Sequence, residues 1–441
     1  MRVIRDATLA DGRVRDVRVG DDGTIDAVGE GLDGEEYADA DERLLLPGAV
    51  DVHVHFRQPG APQKETWATG SRSAAAGGVT TVVDQPNTDP PTVTGAAFDE
   101  KEGFAADSLV DYGINGGVTA EWDPDSLFVR PLFALGEVFL ADSTGEMGID
   151  ADLFADAVSR AADADVPVTV HAEDATKFDE SVLPRSTENA SEEGNDPRAS
   201  ARARDDVAAW SAYRTAVAEI AAAERTVDVA ADADADVHLA HTSTPEAVDI
   251  AAKGGLTCEA TPHHLFLSTD DYDDLGTFGR MNPPLRSPER RNRLFERLVD
   301  GRIEMVATDH APHTRAEKDA DVWHAPSGVP GVETMLPLLL AATRTTDLTV
   351  ERVRDATARA PADVFGISGK GRIEAGYDAD LALYDLDDVR EISGDDLHSK
   401  CGWTPFEGKA GVFPVWTMRR GERVWDADDG FGRAAGRNVR G

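Results

Sequence analysis

Two histidines in "DVHVHF", His53 and His55, stand two residues apart and directly follow the apolar run "LLLPGAV". On a strand, residues i and i+2 share a face, so these imidazoles sit on one side about 6–7 Å apart. A lone histidine in such a run reads as a satisfied core residue. A pair at a strand tip reads as a grip on a metal ion. More donors follow, each after its own apolar run: His171 in "VTVHAEDA", His238 and His241 in "DVHLAHTST", and Asp309, His310 and His313 in "MVATDHAPHT". His238 and His241 are three apart, so a strand turns them to opposite faces. His241 lies at the tip and is the expected ligand; His238 is the expected buried neighbour. Neutral imidazoles with a carboxylate suit Zn²⁺ or a related first-row ion better than Mg²⁺ or Ca²⁺. These donors exceed the three protein ligands of one catalytic zinc. Two ions about 3.5–4 Å apart, with a ligand bridging them, account for the excess.

What must position these residues is a set of strand tips. From Leu44 to about Ile367, short apolar runs alternate with alanine-rich helical stretches such as "DDVAAWSAYRTAVAEIAAAE". That alternation predicts a parallel sheet. The polar residues follow the apolar runs, as they do at the carboxyl-terminal mouth of a (β/α)₈ barrel. An open doubly wound sheet is the alternative, but no glycine-rich nucleotide fingerprint follows the first strand. The two ends of the chain read differently. "TLADGRVRDVRVGDDGTIDAVG" has Asp-Gly turns between alternating Val and Ile, a hairpin signature. The same style returns from "GKGRIEAGYDADLALYDL" onward. Residues 1–48 and 371–441 are therefore expected to form one composite small β-domain beside an α/β catalytic barrel at 49–370. Residues 184–206 are polar and are expected to form an exposed loop.

Charge bounds the partners. The 441 residues hold 44 Lys+Arg against 83 Asp+Glu, a net −39, and only eight of the cations are lysine. Nucleic-acid binding needs a basic footprint that is absent here. The acid runs along the whole chain, which fits a salt-rich cytoplasm where screening over about 3 Å at 1 M removes self-repulsion. Scarce lysine and Ala/Asp tracts resemble halophilic archaeal proteins. No apolar stretch is long enough to span a membrane. The charged opening lacks a signal-peptide core, so a cytoplasmic protein is expected. The sequon Asn189-Ala190-Ser191 then reads as chance. Cys258 and Cys401 are the two cysteines and suggest no disulfide framework.

Together, "DVHVHFRQPG", "QPNT", "HAED", "HLAHTST", "TPHHLFLS", "MNPPLRS", "ATDHAPHT" with "EK", and "PGVETMLPLLL" resemble the cyclic amidohydrolases, and among them the dihydroorotases. The resemblance spans about residues 44–385. It implies a metal-dependent (β/α)₈ barrel with a small β-domain from both termini. It also implies reversible closure of N-carbamoyl-L-aspartate to (S)-dihydroorotate in pyrimidine synthesis. By matching motif, His53 and His55 would hold a first ion and His171 and His241 a second. Asp309 would bind metal and act as the catalytic acid/base. Arg57 and Asn87 would hold the substrate carboxylate, Asn282 and His313 would add ring contacts, and Ser327 and Gly328 would lie on a loop closing over the substrate. Homodimers and association with aspartate transcarbamoylase are further implications. The chemistry is consistent: a metal lowers the pKa of bound water from 15.7 toward about 7, and an arginine fork grips a carboxylate bidentately.

One position departs from the pattern. Many relatives bridge their ions with a carboxylated lysine on the fourth strand, but "PLFALGEVFLADSTGEMGID" contains no lysine. Glu137 stands where that lysine is expected, Asp142 competes, and a site without a protein bridge is the third option. Glu259 matches a position that binds an additional metal in some relatives. His263 and His264 read as structural or orienting residues. Allantoinases and hydantoinase/dihydropyrimidinase-type enzymes share most of these ligands, and a non-catalytic scaffold is a further alternative. The set "HFRQPG", "QPNT", "NPPLRS" and "DHAPHT" favours the dihydroorotase reading.

Overall fold

The computed structural model describes residues 1–142, 147–184 and 207–441. The loop expected at 184–206, Asn189 included, lies outside the described residues from 185 onward.

The N-terminal strands are β1 (Arg2–Thr8), β2 (Val14–Val19), β3 (Ile25–Gly29), β4 (Glu35–Asp39) and β5 (Leu44–Pro47). Their "ADG" and "DDG" segments turn as the sequence requires. Gly12 and Gly23 both take positive φ (79° and 86°), where a side chain is strained. Eight further strands follow: β6 (Ala49–Val54), β7 (Val79–Asp84), β8 (Asp111–Ile114), β9 (Leu135–Phe139), β10 (Val168–His171), β11 (Val237–Leu239), β12 (Thr257–Ala260) and β13 (Met305–Val306). All neighbouring pairs among these eight run parallel. Parallel bridges Gly116↔Leu135 and Val54↔His310 join the two arcs and close the cylinder. This is the (β/α)₈ barrel, with an outer layer of helices between strands. Thr66, Thr94, Asp150, Thr215, Thr244 and Ser287 each start one of those helices by accepting a backbone N–H through a side-chain oxygen. The third connection is reduced to one short turn of helix, Pro124–Leu127.

After the barrel come β14 (Leu381–Tyr384), a small ribbon of β15 (Arg390–Glu391) and β16 (Ala410–Gly411), then β17 (Pro414–Arg419), β18 (Glu422–Asp426) and β19 (Gly430–Phe431). One sheet runs β19-β18-β17-β14-β5-β1-β2-β3, with β4 beside β1. β14 lies antiparallel to both β5 and β17, so strands from the two ends of the chain interleave. The interior of this sheet is Ile4, Val17, Leu45, Leu381, Leu383, Trp416 and Met418, the inward half of each alternating strand. The main barrel core is separate and centres on residues such as Phe56, Trp67, Phe98, Val138, Leu239 and Leu298. Among the described residues no helix is long and apolar enough to cross a membrane.

Candidate metal centre and substrate cavity

Each candidate ligand but Glu137 sits at or just past the carboxyl end of a barrel strand. His53 is the penultimate residue of β6 and His55 lies one residue beyond it. Their ring centroids are 5.3 Å apart, so the shared face expected from the i, i+2 spacing is present. Glu137 is central in β9, His171 ends β10, His241 lies two residues past β11, and Asp309 lies three past β13. Arg57, His241 and Asp309 all have positive φ (61°, 32° and 46°). For non-glycine residues such backbone costs of order 1–3 kcal/mol and is typical of functional sites. Here it turns the chain sharply at the barrel mouth. Arg57 therefore does not extend the β6 face; β6 stops at Val54, and the turn aims the guanidinium.

The base of the site is pinned by buried polar groups. Asp51 accepts from the His53 N–H (3.2 Å) and the Thr308 N–H (3.0 Å), tying β6 to the Asp309 segment. Gln85 donates to Val52 O (3.1 Å) and accepts from the Glu137 N–H (3.0 Å) and Asn115 Nδ2 (3.0 Å). One amide thus fixes Glu137 relative to β6 and β8.

Two ligand groups meet at Glu137. His53, His55 and Glu137 form one, and Glu137, His171 and His241 form the other, with all donor atoms in each group within 4.8 Å of one another. Glu137 Oε2 lies 3.4 Å from His53 Nε2, and Oε1 lies 3.0 Å from His171 Nδ1 and closer still to His241 Nε2. Asp309 Oδ1 is 2.8 Å from His55 Nε2 and 3.6 Å from His53 Nε2. Burial opposes ionisation of Glu137. The charges on His241 and His53 and hydrogen bonds from His171 and His241 overrule it and hold the carboxyl well below its usual range. Asp309 is likewise held low: burial raises it, and the His55 hydrogen bond and the imidazole charges pull it down further than burial lifts it.

The outward nitrogens of these rings decide the tautomers. His53 Nδ1–H donates to Glu259 Oε1 (2.6 Å), His55 Nδ1–H to Asn87 Oδ1 (2.7 Å), and His171 Nε2–H to Glu173 Oε2 (2.9 Å). When a ring gives up the proton on its other nitrogen to become a ligand, the lone pair exposed there points at a carboxylate oxygen of Glu137 or Asp309. His53 Nε2 and His241 Nδ1 are buried without a hydrogen-bond partner. Lone pairs facing carboxylates repel unless cations lie between them. The donor set therefore fits first-row metal ions beside Glu137, with His53, His55 and His171 each backed by a carboxylate or amide that fixes its orientation.

Two of those supports, Glu259 and Glu173, were not assigned this role from sequence. Glu259 accepts from His53, from His238 Nε2 (3.2 Å) and from the His241 N–H (3.2 Å). It orients the ligands and belongs to neither ligand group. His238 is the buried neighbour expected, held between Glu259 and Thr257 Oγ1 (2.8 Å). Glu173, in "HAED", is held in turn by Arg214 Nη2 (2.5 Å). No local motif marked Arg214. Asp142 is an exposed residue whose carboxylate accepts the Gly148 N–H (2.7 Å). It lies beyond the end of β9 and takes no part in either group, which removes it as the competing bridge. His264 spans Thr261 Oγ1 and Pro283 O (both 2.9 Å), and His263 is buried; neither enters a ligand group.

A cavity opens over the metal-facing atoms. His55, Glu137, His241 and Asp309 line its floor, and Arg57, Asn87, Asn282, Ser327 and Gly328 line its walls. Gly328 has φ +128°, and a Cβ there would meet Ala311 O at 2.6 Å, so the wall admits no side chain at that point. Arg57 Nε donates to Pro312 O (3.3 Å), and its Nη2 lies 3.3 Å from His313 Nε2. His313 stands behind the wall. Its Nε2–H donates to Ser327 O (2.9 Å), and Lys64 Nζ donates to its Nδ1 (3.1 Å). Burial and the charges of Arg57, Lys64 and Lys318 push its pKa well down, so it stays neutral. Asn282 Oδ1 accepts from Trp210 Nε1 (3.0 Å).

A closed parallel barrel bearing a carboxylate shared by two imidazole pairs defines the amidohydrolase class, and the chain belongs to that family: the Amidohydrolase family pattern matches residues 141–410. Within it the chain falls among the dihydroorotases, since the Dihydro-orotase-like pattern matches residues 42–190. Over 442 aligned residues covering all of both chains, it is 67% identical to a dihydroorotase from Halobacterium salinarum. It is 42% identical to a dihydroorotase from Methanosarcina acetivorans, over 88% of this chain and 83% of that one. Among solved structures, the L-hydantoinase (dihydropyrimidinase) from Arthrobacter aurescens superposes with a TM-score of 0.89 at 27% identity, covering 99% of both chains.

Proposed function

We propose that this chain interconverts (S)-dihydroorotate and N-carbamoyl-L-aspartate, a step of pyrimidine synthesis, by hydrolysing and re-forming a cyclic amide bond. The observation that carries this is Glu137 shared between two imidazole pairs beneath a cavity walled by Arg57. His53, His55 and Asp309 would hold one ion and His171 and His241 the other, with zinc the metal best suited to the donor set. When bound, the ions supply a water acidified toward about pKa 7 and polarise the scissile carbonyl. Asp309, ionised and aimed at the cavity floor, takes a proton from the attacking water and delivers it to the ring nitrogen as the C–N bond breaks. Ring closure reverses that transfer. Arg57 offers its fork to the substrate carboxylate. Asn87 braces His55 while facing the same cavity, and Asn282, Ser327 and Gly328 bound the ring. The neutral His313 holds Ser327 in place.

Residues 49–370 are taken as the catalytic unit, with 1–48 and 371–441 as the flanking β-unit. Cytoplasmic residence in a salt-rich cell belongs to the same reading, as do homodimer formation and association with aspartate transcarbamoylase. Light scattering alone and with that partner tests the last two. The activity test is turnover of dihydroorotate and of N-carbamoyl-L-aspartate in about molar KCl, with allantoin and hydantoin as controls. Turnover of both named substrates, with the controls far slower, supports the reading. Turnover of allantoin or hydantoin alone overturns it.

A further inference from the structure

Lys318 ends the short helix Arg315–Lys318, whose N-cap Thr314 directly follows His313. Its side chain is completely buried. Nζ donates to three backbone carbonyls: Arg280 O (2.9 Å), Pro326 O (2.9 Å) and Gly328 O (3.1 Å). Among the described residues no carboxylate forms an ion pair with it, and the charge that bears on it is the like-signed guanidinium of Arg280. The face of Trp403 lies 5.8 Å from Nζ, and the Trp403 indole donates to His313 O (2.8 Å). A buried ammonium without a counter-ion is expensive to keep. The chain has only eight lysines among 44 cations, yet one is placed here. A compact head with three rotatable donors can satisfy three carbonyls converging on one point; a planar guanidinium cannot.

The three carbonyls are not scattered. Arg280 lies two residues before Asn282, and Pro326 and Gly328 flank Ser327. The Gly328 N–H also donates to Arg280 O (3.0 Å). His313, on the third stretch, donates to Ser327 O. One ammonium thus joins the three pieces of backbone that form the far wall of the cavity. We infer that Lys318 is a positioning residue for substrate: it sets the distance between the Asn282 loop and the Ser327–Gly328 strip so that both meet the same ring. This rests on the reading of Asn282, Ser327 and Gly328 as the substrate-facing wall.

The test uses the metal-loaded full chain. Lys318→Met keeps the stem and removes all three donors; Lys318→Gln retains two. Steady-state kinetics on dihydroorotate, metal content and the thermal midpoint are measured for both variants and the wild type. The expected result for Lys318→Met is a KM raised about tenfold or more, kcat within about threefold, and unchanged metal content, because uniform binding is lost while the reacting groups stay in place. Lys318→Gln is expected to fall between, and it decides the matter if the methionine variant does not fold. A KM within about twofold of wild type in a folded variant, whatever its thermal midpoint, overturns the inference and leaves Lys318 a packing residue. Loss of metal in step with kcat also overturns it. A wild-type chain that does not open dihydroorotate overturns the substrate reading, and this inference with it. An active wild type whose folded variants keep their KM overturns this inference alone.

Discussion

Replacing Glu137 by glutamine keeps the side chain's shape and removes the one negative charge common to both ligand groups. Its oxygens face opposite ways, Oε1 3.0 Å from His171 Nδ1 and Oε2 3.4 Å from His53 Nε2. A cation coordinated on either side therefore lies within a few ångströms of the carboxylate. Two unit charges about 4 Å apart attract by about 4 kcal/mol at an effective dielectric near 20. At about 1.4 kcal/mol per factor of ten, the less firmly held ion is expected to bind roughly a thousandfold more weakly. Asp309, beside His55, still supports the first group, so the second ion is the one expected to go. Wild type and Glu137→Gln are dialysed against the same metal-buffered molar salt, metal is counted by mass spectrometry, and dihydroorotate opening is followed by absorbance. The variant is expected to retain about one equivalent where wild type holds about two, with kcat/KM down at least about a hundredfold. If Glu137→Gln keeps both equivalents and loses less than about threefold in kcat/KM, the shared-carboxylate reasoning is wrong.

Three further outcomes are expected. Arg57→Lys replaces a fork by a point charge, and the lost charge-assisted hydrogen bond, about 1.5–3 kcal/mol, is expected to raise KM for dihydroorotate roughly ten- to a hundredfold with metal content unchanged; an unaltered KM refutes the carboxylate grip. His398 Nδ1–H donates to Glu333 Oε1 (2.7 Å), and this bond, against partial burial, raises its pKa above 6.5. The linked stability is complete below pH 6.5 and is lost as pH rises through the elevated folded-state value. Denaturant titrations are therefore expected to show wild type losing more stability above that pH than His398→Gln does, and parallel curves contradict this. Finally, a net charge of −39 repels itself at low ionic strength. The thermal midpoint is expected to climb as KCl rises from about 0.1 M to about 2 M, over which the screening length falls from about 10 Å to under 3 Å; a flat profile refutes the charge argument.

Features of the site that depend on short-range periodicity were legible. The i, i+2 rule put His53 and His55 on one face. The missing lysine on the fourth strand directed attention to Glu137, which lies between the imidazole pairs. The interleaved sheet of the two termini was readable because short strands and turns, unlike the strand–helix alternation between them, stand at both ends. Features set by where strands stop or by distant pairing were not legible. Arg57 follows His55 by two residues, but the strand ends at Val54 and a positive-φ turn aims the side chain. Asp142 lies only five residues from Glu137 in sequence, yet β9 stops at Phe139 and leaves it exposed. Glu259 and His53 are 206 residues apart, and only the closed cylinder brings that carboxylate behind that imidazole. Lys318 was visible only as part of "EK", because its three acceptors are backbone carbonyls that carry no sequence signal.

Anomalous diffraction at the zinc edge, on crystals grown with zinc, tests the account most directly. The prediction is two peaks about 3.5–4 Å apart on either side of the Glu137 carboxylate, one against His53 and His55 and the other against His171 and His241. A single peak, or peaks remote from Glu137, would contradict it.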